Sequence, residues 1–238
     1  MPVRALIFDL DDTLSDRQAS IEDYISRFIT TYFPKADVSR QAFIAERFRE
    51  ADQNGYRDKK EVYDMLVSQL SWSDPPTAEE YIAFFKEELP RCIKPMEHLY
   101  TVLDYFKSKG VPMAVITNGS VQVQGAKIVQ LRIRDYFDTI IISAEAGIKK
   151  PHPDIYAITL QRLNMAPADV WFVGDHPQND IAGAVKCGIQ AIWMARDKVW
   201  DDQLEHKPHK SIRNLQELVP IYENALGLNN ATNEGHKV

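Results

Sequence analysis

The sequence is poor in cysteine, has no excess of basic residues and contains no long apolar segment. Its only two cysteines, Cys92 and Cys187, lie far apart and have no histidine or cysteine neighbours at metal-ligand spacing. We therefore expect reduced, partly buried thiols. The formal net charge of -6 argues against nucleic acid or an anionic membrane as the main partner, since both attract a basic surface. No apolar run is long enough to cross a bilayer, and Pro2 and Arg4 lead directly into a strand, so we expect a cytoplasmic protein.

The sequence does contain a series of short apolar runs rich in β-branched residues, which indicate buried parallel strands. Helical patterns lie between them, such as the apolar spacing at Leu99, Val102 and Leu103 that ends at Gly110. This alternation implies right-handed βαβ crossovers, so we predict an α/β fold with a doubly wound parallel sheet. The predicted strands are Val3–Phe8, Met113–Ile116, Thr139–Ile142, Val170–Val173 and Ile189–Met194.

Residues 15–94 break this alternation because they contain no convincing strand. Apolar residues at helical spacing, beginning with Ile21, Tyr24 and Ile25, predict a first helix. Three further helices are predicted, at residues 40–51, 60–70 and 77–89. We therefore predict an all-helical insert that would sit over the carboxyl end of the first strand. The predicted divisions are a core at 1–14 and 95–228, the helical insert at 15–94, and a disordered polar tail at 229–238.

Polar side chains cluster where the predicted strands end. In an open parallel sheet the carboxyl ends of the strands converge on one crevice, so we expect these side chains to meet. Clustered carboxylates disfavour one another's ionisation unless a cation or a shared proton compensates, and such a cluster usually has a function. In strand order, the residues concerned are Asp9, Asp11 and Asp12, then Thr117 and Asn118, then Lys149 and Lys150, and finally Asp175 and Asp180.

The residue types in this crevice suit phosphoryl chemistry. Asp9, Asp11 and Asp175 offer hard oxygen ligands of the kind that bind Mg²⁺ with several waters retained. Thr117, the backbone N–H groups after the second strand and Lys150 donate the hydrogen bonds that a phosphoryl group requires. A carboxylate beside a phosphoryl group and a magnesium ion can attack phosphorus in line and form an aspartyl phosphate.

Four motifs, in order, make the sequence similar to the haloacid dehalogenase (HAD) superfamily. They are DxDx[TV] at Asp9-Leu10-Asp11-Asp12-Thr13, Thr117 in AVITNGS, Lys150 in GIKKPHPDIY, and GDxxxxD from Asp175 to Asp180. The resemblance covers essentially the whole chain and implies a HAD-like Rossmannoid core. The helical insert matches the C1 cap of the superfamily's first subfamily, which closes over the site and screens substrates.

The resemblance implies a role for each carboxylate. Asp9 resembles the nucleophile, and its carboxylate also binds magnesium. Asp11 resembles the general acid and base, while its backbone carbonyl ligates the metal. Asp175 is the expected remaining protein ligand, and Asp180 is a second ligand or a partner that orients a metal water or Lys150.

The family also implies how a phosphoryl group is held. Thr117, with the Asn118 and Gly119 amides, would bind the phosphoryl oxygens, and Lys150 would neutralise the charge between nucleophile and phosphate. Lys149 is expected to be a solvated neighbour, because the family pattern places proline directly after the functional lysine.

Three polar neighbours receive no catalytic role. By strand alternation Asp12 points away from Asp11, so we expect it in solvent or in a local turn hydrogen bond. His176 stands where the family often has serine, and we expect it to be a turn histidine bonded to the backbone. The same is expected of His152.

The resemblance favours a phosphatase that acts on a small phosphorylated metabolite, as a monomer or homodimer. Dehalogenases of the family lack an aspartate at the position of Asp11, and a phosphonate hydrolase would need a Schiff-base lysine, for which nothing marks Lys59 or Lys60. A phosphomutase of the β-phosphoglucomutase type shares the motifs and stays open. A non-catalytic phosphorylated switch is disfavoured, because its phosphorylated aspartate ends the third strand of a chain about half this length.

Overall fold

The computed structural model describes residues 3–227, so the tail predicted at 229–238 lies outside the described residues. Two compact units are present: residues 3–16 with 95–227, and Arg17–Lys94. The division falls two residues later than the predicted start of the insert, since Ser15 and Asp16 are grouped with the first unit. None of the helices in the described part combines the length and apolar character needed to cross a bilayer.

The structure contains eight strands and ten α-helices within residues 3–227. The strands are β1 (Ala5–Phe8), β2 (Ser15–Asp16), β3 (Lys94–Pro95), β4 (Met113–Thr117), β5 (Thr139–Ile142), β6 (Val170–Gly174), β7 (Gln190–Met194) and β8 (Lys210–Ile212). The helices are α1 (Arg17–Tyr32), α2 (Val38–Asp52), α3 (Lys59–Gln69), α4 (Ala78–Arg91), α5 (Leu99–Ser108), α6 (Val121–Gln130), α7 (Ser143–Ala146), α8 (Pro153–Leu163), α9 (Gly183–Lys186) and α10 (Leu218–Ala225). A π-helical turn spans Pro177–Ala182.

Six of the strands form one parallel sheet in the order β5-β4-β1-β6-β7-β8, which confirms the predicted fold class. Every residue of β1, β4 and β6 is buried, as expected for central strands covered on both faces. The sixth strand, β8, was missed by the sequence analysis. It is only three residues long and two of these, Lys210 and Ser211, are exposed, so it has no apolar run.

Neighbouring residues of β6 show that helices cover both faces of the sheet. The ring of Phe172 packs against Tyr156 of α8, with centroids 5.6 Å apart. The preceding residue, Trp171, packs against Tyr222 of α10 at 6.3 Å. Because successive side chains of a strand point to opposite faces, α8 and α10 lie on opposite sides of the sheet.

The register of the three central strands aligns their carboxyl ends. Phe8 of β1 lies beside Val115 of β4 and Val173 of β6. The segments that follow these strands therefore leave the sheet at one edge, where the polar motifs were predicted to meet.

The second unit is helical, as predicted, and is built on aromatic packing among α1 to α4. Phe28 is fully buried, and its ring contacts those of Phe48 at 5.4 Å and Trp72 at 5.4 Å. The N-terminus of α4 has a capping box, in which Glu80 N–H donates to Thr77 Oγ1 and Thr77 N–H donates to Glu80. The four helices were predicted from the helical spacing of their apolar residues, and this packing buries those residues.

Both cysteines are free, with Cys92 buried and Cys187 half-buried, in agreement with the expectation from the sequence.

Candidate active site

Three buried carboxylates meet beyond the carboxyl ends of β1 and β6. Asp9, Asp175 and Asp180 each place one oxygen within 4.8 Å of the others, and each side chain is buried. Asp9 directly follows β1, and Asp175 directly follows β6. Asp180 lies in the π-helical turn, where its Oδ2 accepts a hydrogen bond from His176 N–H at 2.9 Å. The structure thus brings together three of the four predicted metal-binding residues through their side chains.

A glycine makes room for this cluster. A Cβ at Gly174 would lie 2.5 Å from both Cβ and Cγ of Asp180, closer than side-chain carbons approach. The G of the GDxxxxD motif is therefore required by the close approach of Asp180 to the end of β6.

Lys150 joins two of the carboxylates. Its Nζ lies 2.5 Å from Asp9 Oδ1 and 2.7 Å from Asp180 Oδ1, and its side chain is 2% exposed. Lys149 is exposed, in agreement with the choice of Lys150 as the functional lysine. The predicted contact of Asp180 with Lys150 is also present.

The side-chain amide of Asn118 bonds both the N–H and the carbonyl of Lys150. Its Nδ2 donates to the Lys150 carbonyl at 3.0 Å, and its Oδ1 accepts from Lys150 N–H at 2.9 Å. This pair of hydrogen bonds joins the segment after β4 to the segment that carries the lysine. Sequence reasoning gave Asn118 a role through its backbone amide only and missed this side-chain role.

The charges in the cluster perturb one another strongly. Burial raises the pKa of Asp9 well above its ordinary range, Lys150 acts in the opposite direction, and Asp180 and Asp175 add to the rise. Burial and Asp180 raise the pKa of Asp175 to about 7, against the lowering by Lys198. Burial alone would lower the pKa of Lys150, but Asp180 and Asp9 outweigh it and raise that pKa.

This donor set fits a divalent cation. Three carboxylates converge on a region where Lys150 and the more exposed Lys198, 3.1 Å from Asp175 Oδ2, are the cations in contact with them. Carboxylate oxygens are ligands for hard cations, and a cation held there would offset both the burial of these charges and the repulsion between them, which together raise the pKa values of Asp9 and Asp175.

Thr117 ends β4 and Gly119 follows it, and both make hydrogen bonds to side chains of the protein. Thr117 is buried, and its Oγ1 accepts a hydrogen bond from Gln124 Nε2. The Gly119 N–H donates to Ser143 Oγ at 2.9 Å. In this structure the Gly119 amide is therefore bonded to Ser143, which differs from its predicted use for phosphoryl oxygens.

Asp11 lies apart from the three-carboxylate cluster and contacts α6 instead. Its Oδ1 and Oδ2 accept hydrogen bonds from Lys127 Nζ at 2.7 and 2.8 Å. Gln124 Nε2 also donates to Oδ2 at 3.0 Å, and Ser15 Oγ lies 3.3 Å from Oδ1. Sequence reasoning missed Gln124 and Lys127. Their spacing of three residues on one helix, in register with the apolar Ile128 and Leu131, was the available signal.

Of the two environments predicted for Asp12, the structure contradicts the first, exposure to solvent. It is buried, not in solvent, and its Oδ1 lies 3.3 Å from Arg196 Nη1. The same guanidinium contacts both oxygens of Asp16, at 3.3 and 3.0 Å. Arg196 comes 184 positions after Asp12, so no local pattern could indicate the contact.

Both histidines near the motifs behave as predicted. His176 Nδ1 accepts from the backbone N–H groups of Gln178 and Asn179 at 3.1 Å, and His152 Nδ1 accepts from that of Asp154 at 3.3 Å. Burial lowers the pKa of His176, which favours its neutral form.

Comparison with known proteins identifies the family of this chain. A sequence profile of haloacid dehalogenase-like hydrolases matches residues 6–194. The chain belongs to the haloacid dehalogenase-like hydrolase family. The resemblance expected from the four motifs is thereby confirmed.

Curated relatives of this HAD-family chain include phosphatases and dehalogenases. A glyceraldehyde 3-phosphate phosphatase of Methanocaldococcus jannaschii is 26% identical over 230 residues, which are 93% of this chain and 98% of that protein. A phosphoserine phosphatase of Thermus thermophilus is 32% identical over 246 residues, 91% of this chain and 98% of that protein. An (S)-2-haloacid dehalogenase of a Pseudomonas species is 26% identical over 233 residues, which are 91% of this chain and 94% of that protein.

Among solved structures, the HAD-hydrolase YfnB of Bacillus subtilis, bound to magnesium, is similar with a TM-score of 0.76. It is 21% identical, and the match covers 93% of this chain and 99% of that one. At this identity the likeness shows the shared fold.

We predict that Asp175→Asn stabilises the metal-free protein at pH 8. A carboxyl whose pKa is about 7 in the folded state and near 4 in the unfolded state contributes stability below pH 4, which is lost as the pH rises through 7. At pH 8 the wild type carries a buried, ionised Asp175 carboxylate near Asp180 and the variant does not, whereas at pH 5 Asp175 is protonated. The free energy of unfolding is measured by urea titration with a chelator present. The difference between Asp175→Asn and the wild type should therefore be larger at pH 8 than at pH 5.

The exposed Asp74 provides the matched control, because Asp74→Asn removes a carboxylate far from this cluster in sequence. If Asp175→Asn increased the free energy of unfolding equally at pH 5 and pH 8, this result would contradict the raised pKa of Asp175.

Proposed function

We propose that this chain is a Mg²⁺-dependent phosphomonoester hydrolase that acts on a small phosphorylated metabolite through an aspartyl phosphate. The observation that carries the proposal is the buried contact of Lys150 with Asp9 and Asp180, beside Asp175. A carboxylate, a fixed ammonium group and a cation-binding carboxylate pair are the parts that phosphoryl transfer to an aspartate requires.

Asp9 is the proposed nucleophile. Its carboxylate oxygen attacks phosphorus in line, the bond from phosphorus to the leaving oxygen breaks, and an aspartyl phosphate forms. Lys150 lies 2.5 Å from Asp9 and is held in place by Asn118, so it can stabilise negative charge on the phosphoryl oxygens without rearranging. Thr117, at the end of β4, is proposed to bind a phosphoryl oxygen, as is Asn118.

The carboxylates of Asp9 and Asp175 and the backbone carbonyl of Asp11 are the proposed Mg²⁺ ligands. Asp180 is a further ligand or orients the site through Lys150. When bound, Mg²⁺ supplies positive charge that offsets the carboxylates and the phosphoryl oxygens.

Asp11 is the proposed proton carrier. It gives a proton to the leaving oxygen in the first step. It then takes a proton from water, whose oxygen attacks phosphorus in the aspartyl phosphate and releases phosphate and the Asp9 carboxylate. The presence of Asp11 favours a phosphatase over a dehalogenase, although the relatives include both.

The relatives support small phosphorylated compounds as substrates, since the names of two of them specify glyceraldehyde 3-phosphate and phosphoserine. A cytoplasmic location and a monomeric or homodimeric state belong to the proposal as well. Both cysteines are free, which fits a reducing compartment.

We expect the purified protein to hydrolyse p-nitrophenyl phosphate only with Mg²⁺ present, and Asp9→Asn to abolish this activity. An amide cannot act as the nucleophile, so no aspartyl phosphate forms. Released phosphate is measured with and without exhaustive chelation. Asp154→Asn, which alters an exposed carboxylate, serves as control. Hydrolysis undiminished by chelation would refute the metal dependence, and substantial activity of Asp9→Asn, with deamidation excluded by mass, would refute the nucleophile.

We expect Lys150→Ala to lose about 2.7–4 kcal/mol of transition-state stabilisation, the effect of removing one oxyanion donor. The loss is measured as the ratio of kcat/KM values for p-nitrophenyl phosphate. Lys149→Ala is the matched control, because it removes an exposed ammonium group one residue away. A larger loss in the control would show that the lysines had been assigned wrongly.

We expect Asp11→Asn to separate the two half-reactions, removing an acid–base contribution of roughly 10²–10⁴-fold. With an alkyl phosphate the first step should already be slow, because an alkoxide leaves poorly without a proton. With p-nitrophenyl phosphate the leaving group is a stabilised phenolate, so the variant should give a burst of nitrophenolate and accumulate phosphorylated Asp9, detected by mass. Equal first-step losses for both substrates, with no phosphoenzyme, would exclude Asp11 as the proton carrier.

A further inference from the structure

Helix α6 carries a lysine on its buried face. Lys127 is 3% exposed as a residue and shares this face with Gln124, also 3% exposed, and with the apolar Ile128. Removing an ammonium group from water is costly unless the charge is paired and its hydrogen bonds are made. The partners of Lys127 therefore indicate why a lysine occupies this position.

The partner is the carboxylate of Asp11, which lies 116 residues earlier in the chain. Lys127 Nζ donates to both carboxylate oxygens of Asp11, at 2.7 and 2.8 Å. The side chain of Asp11 is 25% exposed and that of Lys127 is 4% exposed, so the pair is anchored from the protein interior.

Gln124 connects this pair to the end of β4. Its Nε2 donates to Asp11 Oδ2 at 3.0 Å and also to Thr117 Oγ1. One amide group thus separates the Asp11 carboxylate from the hydroxyl that is proposed to bind a phosphoryl oxygen. Gly119 makes this possible, because its φ is 149° and a Cβ there would lie 2.8 Å from Gln124 Cγ.

We propose that Lys127 is a positioning residue for the reaction, which fixes the Asp11 carboxylate beside the phosphoryl-binding end of β4. An aspartate at a strand end has several side-chain rotamers, and two hydrogen bonds to one buried ammonium group select one of them. This inference rests on the proposed function, because it assigns Lys127 to the proton carrier of that reaction. Lys127 acts through Asp11, whose two carboxylate oxygens accept hydrogen bonds from its Nζ.

The test is a double-mutant cycle on the first chemical step. Release of phenol or nitrophenol, which accompanies formation of phosphorylated Asp9, is followed in single turnovers of the full chain with phenyl phosphate and with p-nitrophenyl phosphate, which differ in leaving group but little in shape. The four proteins are the wild type, Lys127→Met, Asp11→Asn and the double variant. Methionine keeps the approximate length of the lysine side chain and removes its charge.

We expect Lys127→Met to slow the first step with phenyl phosphate on the order of 10–100-fold, by analogy with the loss of a residue that orients a metal ligand. The loss should be smaller with p-nitrophenyl phosphate, which depends less on the proton, and should fall on kcat with KM little changed. In the Asp11→Asn background the same substitution should have no further effect, because the carboxylate that Lys127 orients is already absent. Lys127→Arg, which retains the charge, should recover part of the rate.

Lys107→Met is the matched control, since Lys107 is an exposed lysine whose Nζ donates to the Asp135 carbonyl. It should match the wild type. If Lys127→Met does not fold, Lys127→Arg is compared with wild type on both substrates, and the double variant, which lacks both charges, is compared with Asp11→Asn.

Three results would overturn the inference while leaving the proposed function standing. They are a wild-type rate in Lys127→Met, equal losses for the two substrates, and a further loss on adding the substitution to Asp11→Asn. A wild type that releases the leaving group from neither substrate would instead refute the proposed function itself.

Discussion

The buried ammonium group of Lys150 is the constraint on which the arrangement of the site depends. Asp9 and Asp180 come from segments far apart in the chain, and both lie within 2.7 Å of the same nitrogen. Breaking such a buried contact costs about 3–5 kcal/mol, because the remaining charges are left without a partner. The loop that carries Lys150 is therefore bonded to the end of β1 and to the π-helical turn after β6, and Asn118 bonds it to the segment after β4.

The main-chain geometry around this contact allows the charges to approach. Gly174 leaves space for Asp180, and Trp193 of β7 donates from Nε1 to the Asp175 carbonyl at 2.8 Å. The strands thus fix the backbone of the carboxylates, while Lys150 offsets part of their charge. The raised pKa of Asp175 follows first from its burial and then from the nearby charge of Asp180, which together outweigh the lowering by Lys198.

Most of the sheet and the main motif residues were predictable, because their signals are local. The five apolar runs correspond to five strands of the sheet, and the proline after Lys150 distinguished it from Lys149. The contact of Lys127 with Asp11 was not predictable, since it depends on how α6 packs and joins residues 116 positions apart. The pairing of Asp12 with Arg196 escaped for the same reason, because it is set by the loop after β7.

The guanidinium of Arg196 fixes the junction at which the helical unit begins. It contacts Asp12 and Asp16, so the backbone is anchored up to the last residue before the helical unit begins at Arg17. All three residues of this anchor belong to the sheet-containing unit. The contacts that hold this junction therefore come from side chains outside residues 17–94, so a substitution within the helical unit removes none of them.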